Sequence, residues 1–316
     1  MLLRIIHHTR YRYRTPVLLA QHLAHLRPLE RQGQQVIEHQ LSISPEPAQW
    51  LQGLDAFGNW RCFFALQSAH DKLDVSADSL VRTSPPGPLP DSPAWEQVRD
   101  GFRYHAGASY EPATEFTFAS PYVPLDEAFA AFARPVFTPE RALLDACEAL
   151  CGKIHQELQY ETASTQVNTP ALQALAQGKG VCQDFAHIML GCLRSLGLAA
   201  RYVSGYLLTQ PPPGQPRLIG ADASHAWVSV WCDGGWHDFD PTNDRCGSPC
   251  PGEDYVTLTL GRDFGDISPL RGVIQGGGAH SLQVEVTVAP AEEYEQLCAD
   301  SSSPPAATDP GGSAAD

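Results

Sequence analysis

In the first 83 residues apolar and polar positions alternate. Along "IIHHTRYRYR", Ile5, His7, Thr9, Tyr11 and Tyr13 take turns with Ile6, His8, Arg10, Arg12 and Arg14. That period of two predicts a strand with its tyrosines inward and its arginines in solvent. "VIEHQLSI" repeats the pattern through Ile37, His39, Leu41 and Ile43, and "LDVSADSLVRT" gives a further strand. "DAFGNWRCFFAL" sets a Gly-Asn turn ahead of an aromatic run, which is a hairpin signal. Residues 1–83 therefore read as an antiparallel, β-sandwich-like domain. His7 and His8 are neighbours, but adjacent strand residues point to opposite faces and cannot chelate one ion.

The rhythm changes after a Pro-rich break, "TSPPGPLPDSP", placed within a linker over 84–98. In "TPERALLDACEALCGKIHQEL" the apolar positions Leu143, Leu144, Cys147, Leu150, Cys151, Ile154 and Leu158 follow a helical period. Thr138 is placed to cap this helix and Pro139 to open it. "TPALQALAQG" predicts a short helix stopped by Gly178. A longer one runs from about Val181 to Leu196, carrying Phe185, Ile188, Met189, Cys192, Leu193 and Leu196 on one face. Three strand patterns follow, "AARYVSGYLL", "HAWVSVW" and "WHDFD", with "PPPGQP" as a loop between two of them. Helices ahead of an antiparallel sheet predict an α+β domain over 99–290. The remainder, 291–316, reads as an acidic and mostly disordered tail.

Charge and cysteine usage narrow the partners. The formal net charge is −15 over 316 residues. Six of those acids and no base fall in 291–316, so the body is still strongly acidic. Such a surface repels nucleic acid and anionic membranes, and excludes both as main partners. No stretch is long enough to span a bilayer, and the first residues lack the form of a signal peptide. Nine irregularly spaced cysteines in a chain of this size fit reduced thiols and a cytoplasmic location.

One of those thiols is placed for chemistry. In "GKGVCQDFAHIML", Cys182 falls in the first turn of the predicted helix, after two spaced glycines. Unpaired backbone N–H groups at a helix start favour a thiolate, and the N–H of Cys182 can donate to an oxyanion at an attacked carbonyl. Asp184 is about 200° away around the helix and suits the helix start. His187 lies about 140° around from Cys182 and points elsewhere. The base must therefore come from another element.

"DASHAWVSVWCDGGWHDFDPTN" supplies it. His225 opens a strand whose face continues through Trp227, Ser229 and Trp231. After a Gly-Gly turn at 234–235, Trp236, Asp238 and Asp240 share a face of the next strand. A hairpin of that length brings His225 beside Asp240, which can hold the imidazole tautomer. Trp227, Trp231 and Trp236 are candidates for a substrate cleft or for the sheet core. Cys147 and Cys151, four residues apart on an apolar stripe, read as core, and "CGSPC" (246–250) as a loop. No ligand cluster calls for a metal, and no motif calls for a cofactor.

Three ordered segments, "GVCQDFAHIML", "ASHAWVSVW" and "GWHDFDPTN", resemble the Cys, His and Asp motifs of the bacterial transglutaminase-like superfamily. "HHTRYRY" and "DAFGN" resemble its N-terminal domain, and "GRDFGDISPLRG" (261–272) its C-terminal signature. The resemblance implies a papain-like α+β core with a Cys182-His225-Asp240 triad. It implies chemistry on peptide or protein substrates through a thioester. The acyl group passes to water, as in a peptidase or amidase, or to an amine, as in a protein-glutamine gamma-glutamyltransferase. Hydrolysis is the expected outcome. The competing expectation is a binding or scaffold protein that keeps the fold without the catalysis.

Overall fold

The computed structural model describes residues 1–104, 106–107, 109–162, 169–210, 217–220 and 222–302. The predicted loop "PPPGQP" and the chain after residue 302 lie outside them. Two antiparallel sheets share the work.

The first sheet is organised by β1 (Leu2–Ala24), β2 (Gln34–Ser44), β3 (Gln49–Leu54), β4 (Trp60–Leu66) and β5 (His70–Thr83). β1 is 23 residues long and serves two layers. Its first half pairs with β5, and its second half with β4. The register breaks between Arg12 and Val17, around Pro16, which has no N–H for a ladder. Because the layers diverge there, Phe64 and Leu66 of β4 pack with Leu73, Val75 and Ala77 of β5 across Tyr13 and Val17. The alternation read from "IIHHTRYRYR" holds: Ile5 and Tyr13 are buried, while Arg12 and Arg14 are exposed. Part of the outward face is charge-paired, with Arg4 on Asp78 and Glu38, and Arg10 on Asp74 and Glu285.

Helices follow: α1 (Trp95–Gly101), α2 (Glu127–Ala133), α3 (Leu143–Glu157), α4 (Ala171–Gln177) and α5 (Cys182–Ser195), with a 3-10 turn at Pro112–Thr117. α1 begins inside the span read as linker. α3 starts later than its sequence signals. Glu140 adopts φ +62° and Arg141 N–H closes a turn onto Thr138, so Pro139 opens no helix. The cap instead comes from afar, where Ser92 Oγ accepts the N–H of Leu144 at 3.0 Å. α5 is buried almost all round.

The short strands β6 (Gln159–Tyr160) and β7 (Lys179–Gly180) pair in parallel. The second sheet runs β11-β10-β9-β8-β12 and is built from β8 (Ala200–Leu207), β9 (Ser224–Cys232), β10 (Gly235–Asp240), β11 (Arg245–Gly247) and β12 (Tyr255–Gly261). One face carries Ala226, Val228 and Val230 against α5 and α3. The hairpin turn is Asp233-Gly234, at φ +47° and +82°, one residue earlier than the Gly-Gly pair suggested. Both positive φ values match the twist of a two-residue hairpin.

After a short helix, α6 (Phe264–Ile267), the chain returns to the first sheet. β13 (Leu270–Gly276) pairs with the second half of β1, and β14 (His280–Pro290) with the first half. The expected boundary of the second domain at 290 therefore gives way: residues 270–290 complete the N-terminal sheet. The two sheets are joined by an apolar layer of Leu3, Ile5 and Val286 against Tyr206, Val256 and Leu258. The start of the presumed tail is a helix, α7 (Ala291–Ser302), tied back by Glu293 to Arg217 at 3.2 Å.

Candidate active site

Gly178 ends α4 in the left-handed region at φ +67°, which glycine adopts without penalty. Gly180 is constrained by contact instead. A Cβ placed there would lie 2.7 Å from both Cβ and Oδ2 of Asp184. That close approach lets the Asp184 carboxylate accept the N–H of Val181, the residue before α5, at 2.9 Å. Asp184 is thus engaged in closing the helix start, the part of a capping box played by a residue at its position. Cys182 becomes the first helical residue, where backbone N–H groups have no partner within the helix.

His225 arrives from β9 and Asp240 from β10. Phe239 sits opposite Val228, so Asp240 falls beside Trp227 and diagonal to His225. The pair closes to 2.7 Å between His225 Nε2 and Asp240 Oδ2. An ionised carboxylate only accepts, so Nε2 carries the proton and Nδ1 is the nitrogen left for sulfur. The Cys182 side chain lies near enough to this imidazole to act on its charge. Cys182, His225 and Asp240, far apart in sequence, are thus brought into one neighbourhood.

The electrostatics follow from the contacts. Burial works against an imidazolium at His225, but the hydrogen bond to Asp240 and the charges of Asp240 and Cys182 outweigh it. The His225 pKa is pushed up to about 10. Burial likewise opposes ionisation of Asp240, yet donors hold its pKa below the usual carboxylate range. Besides His225, these are Asn243 Nδ2 at 2.7 Å, the Tyr255 hydroxyl at 2.7 Å and the backbone N–H of Thr242 at 2.9 Å.

Asn243 and Tyr255 were not found by sequence reasoning. "DPTN" offered Asn243 as a turn residue close behind Asp240, whereas nothing local marks Tyr255, which comes from β12. Tyr160 was missed too. The pairing of β6 with β7 sets it beside the lead-in to α5, half exposed, with its ring edge-on to Phe185 at 6.2 Å. Burial raises its phenol pKa, as do the neighbouring Cys182 and Asp240.

Other candidates lie elsewhere. His187 is buried between the rings of Tyr122 and Tyr202, and its Nε2 accepts the N–H of Phe264 at 3.2 Å. Burial pushes its pKa down to about 3, so it is neutral. Trp227 is no cleft wall: it is fully buried, lies 6.0 Å from the His225 ring, and donates to Asp238 at 3.0 Å. Trp236 stands at the far end of β10 from Asp240, four residues or about 13 Å along the strand, packed on Trp231. Cys147 and Cys151 are core residues of α3. Among the described residues no group of three or more His, Cys, Asp or Glu side chains could hold a metal, and no helix is long and apolar enough to cross a membrane.

Residues 3–82 match the Bacterial transglutaminase-like N-terminal region, and residues 130–241 match the Transglutaminase-like superfamily. An uncharacterised protein of Mycobacterium tuberculosis (strain H37Rv) is 38% identical over 300 residues, 92% of this chain and 93% of that one. The chain belongs to the transglutaminase-like superfamily. A second uncharacterised member, from Mycobacterium leprae, is 32% identical over 292 residues, covering 90% of this chain and 98% of its own. The transglutaminase-like fold itself is shared with a solved protein of Cytophaga hutchinsonii, described as a candidate cysteine protease. That likeness has a TM-score of 0.69 at 19% identity, over 92% of this chain and 91% of the other. A protein-glutamine gamma-glutamyltransferase of Pseudomonas aeruginosa matches over 104 residues at 31% identity, 30% of this chain and 16% of that protein.

Proposed function

We propose that the protein is a cysteine-nucleophile enzyme that opens peptide or amide bonds through a thioester and passes the acyl group to water. The observation that carries this reading is the junction of Cys182, at the start of α5, with an imidazole that Asp240 holds by Nε2. The Cys182 sulfur attacks the amide carbonyl carbon. The oxygen that gains charge faces the N–H groups opening α5, which need no rearrangement to donate. As the C–N bond breaks, the imidazolium gives its Nδ1 proton to the departing amine, leaving a thioester and a neutral His225. Water then attacks the thioester, its proton passes to Nδ1, and the acid leaves with the thiolate restored. Asp240 stays ionised throughout and stabilises the imidazolium.

The same thioester accepts an amine in place of water, and the partial likeness to the Pseudomonas gamma-glutamyltransferase makes that the alternative acceptor. Both outcomes are read in one experiment. A library of short peptides and glutamine-containing proteins is incubated with the full chain, with and without a primary amine. Intact mass reports the acyl-enzyme. We expect a covalent adduct on Cys182 and release of acid product that an amine leaves largely unchanged. Amine-dominated product would assign transfer instead. Product formation by Cys182→Ala equal to that of the parent would end the cysteine reading.

A further inference from the structure

A second pocket, of about 690 Å³, opens at the far end of the second sheet, between that sheet, the β3–β4 turn and the 3-10 turn. It stands apart from the cysteine chemistry, near Trp231 and Trp236 rather than His225. The turn "DAFGN" builds one wall. Asp55 Oδ1 accepts the N–H groups of Phe57 and Asn59 at 2.8 and 2.9 Å. The Asn59 amide pairs in both directions with the backbone of Leu260 on β12, at 2.7 Å each way. The turn of the first sheet is thereby fastened to the second, and Phe57 is held over the pocket. A chain of rings follows: Phe57 to Phe116 at 5.8 Å, Phe116 edge-on to Trp236 at 5.3 Å, and Trp236 to Trp231 at 5.3 Å.

Arg201 of β8 lies against these rings, its guanidinium 3.9 Å above Trp236. Among the described residues it makes no hydrogen bond or ion pair, and its Nε is buried without a partner. The strand register explains why. Arg201 faces Ser229, and Ser229 faces Asp238. Both partners of the Asp238 carboxylate, Arg31 at 3.1 Å and Trp227 at 3.0 Å, sit on Oδ2, and its buried Oδ1 makes no hydrogen bond to Arg201. One carboxylate thus sits among two arginines, which leaves an uncompensated positive charge beneath an aromatic wall. Holding a guanidinium so is costly, and burial pushes its pKa down to about 9 although Asp238 resists. The other cation at the pocket, Arg262, is already closed by Asp266 at 2.9 Å. Glu111 and Glu115 at the rim accept from Ala113 N–H and the Tyr110 hydroxyl. Their charge disfavours a multiply charged anion.

We propose that this pocket binds a monocarboxylate bearing a flat apolar or aromatic group, its carboxylate paired with Arg201 and its ring laid into the wall of Phe57, Phe116 and Trp236. A planar guanidinium suits a two-point bond to a carboxylate. Both a free aromatic acid and the last residue of a peptide present this chemistry.

The test uses the full chain with three probes: hydrocinnamate, N-acetyl-phenylalanine, and a tripeptide ending in free phenylalanine. Each is compared with its amide. Binding is followed by tryptophan fluorescence and by the thermal midpoint. The acids should bind at least about tenfold more tightly than the amides, since a charge-assisted pair exceeds about 1.4 kcal/mol. Cys182→Ala should bind them unchanged, which separates this pocket from the active site. Arg201→Met should lose the acid preference without lowering the midpoint of the unliganded protein, because it removes a buried charge that has no partner. If that variant fails to fold, Arg201→Lys keeps the charge without the fork and should bind the acids more weakly. Tightest binding by the tripeptide identifies a chain terminus as the ligand, and tightest binding by hydrocinnamate a free acid. Equal binding of acids and amides, an acid preference surviving in Arg201→Met or undiminished in Arg201→Lys, or loss of binding in Cys182→Ala would overturn the proposal.

Discussion

Replacing Gly180 with alanine should damage both the fold and the thiol, and the structure sets the size of the damage. The new Cβ would lie 2.7 Å from two atoms of Asp184, a separation that real side chains do not tolerate. Asp184 is buried and cannot swing into solvent without leaving the core. Overpacking of this kind costs about 1–3 kcal/mol. If Asp184 retreats, its charge-assisted bond to Val181 N–H is lost as well, for another ~1.5–3 kcal/mol. The expected loss is therefore roughly 2.5–6 kcal/mol, a large share of the stability of an ordinary domain. Gly178→Ala is the matched control. It meets nothing within 4 Å and carries only the penalty of φ +67°, about 1–2 kcal/mol. Urea unfolding of the two variants gives the stability order. Iodoacetamide labelling of Cys182 reports the helix start, and a displacement near 1 Å there should slow turnover about 100-fold. If Gly180→Ala is no less stable than Gly178→Ala and labels at the parent rate, the contact between Gly180 and Asp184 does not set the geometry of the thiol.

Turnover should fall on the alkaline side as pH passes about 10, because His225 must hold a proton for the leaving amine; below that value the imidazolium is retained. In Asp240→Asn the burial that lowers this pKa loses its main opponent, so the alkaline limb of the pH–rate profile should move acidward by more than one pH unit. An unmoved limb contradicts the assignment. Tyr255→Phe removes one of the donors to Asp240 while keeping the ring, and should lower stability by about 1.5–3 kcal/mol at neutral pH in urea titrations. That difference should shrink in acid, where Asp240 takes up a proton. Deleting residues 1–83 should leave β13 and β14 unpaired and uncover Tyr206, Val256 and Leu258, giving aggregated protein by size-exclusion chromatography rather than a working core.

The sequence made visible what is periodic or local. The strand alternation of β1 and the stripe of α5 can be read because each buries one face whose period matches its backbone. Cys182, His225 and Asp240 can be found because each sits at the end of an element with its own start or stop signal. What stayed hidden depends on partners far along the chain. Nothing near Leu144 foretells Ser92 as its cap, so Thr138 and Pro139 gave α3 a false beginning. Nothing in β12 foretells that Tyr255 donates to Asp240. The alternation in residues 280–290 says strand but not which sheet, and the partner proves to be the first strand of the chain. Trp227 and Trp236 share a face with His225 and Asp240, yet a shared face extends the length of a strand. One is entombed and the other stands at the opposite end.

The return of β13 and β14 to β1 has a consequence for synthesis. One side of β1 finds β4 and β5 within the first 83 residues, but the other side waits for β13 and β14, the first of which begins at Leu270. At about 5–20 residues per second, that open side faces the ribosome's surroundings for roughly ten to fifty seconds. A bare strand side is a template for pairing with other chains, and interspersed charge is the usual guard. Arg4, Arg10, Arg12 and Arg14 supply such charge along β1. The arginine row thus has a task early in the life of each molecule, as a deterrent between nascent neighbours, before Glu285 arrives to complete the pairing of Arg10 in the finished sheet.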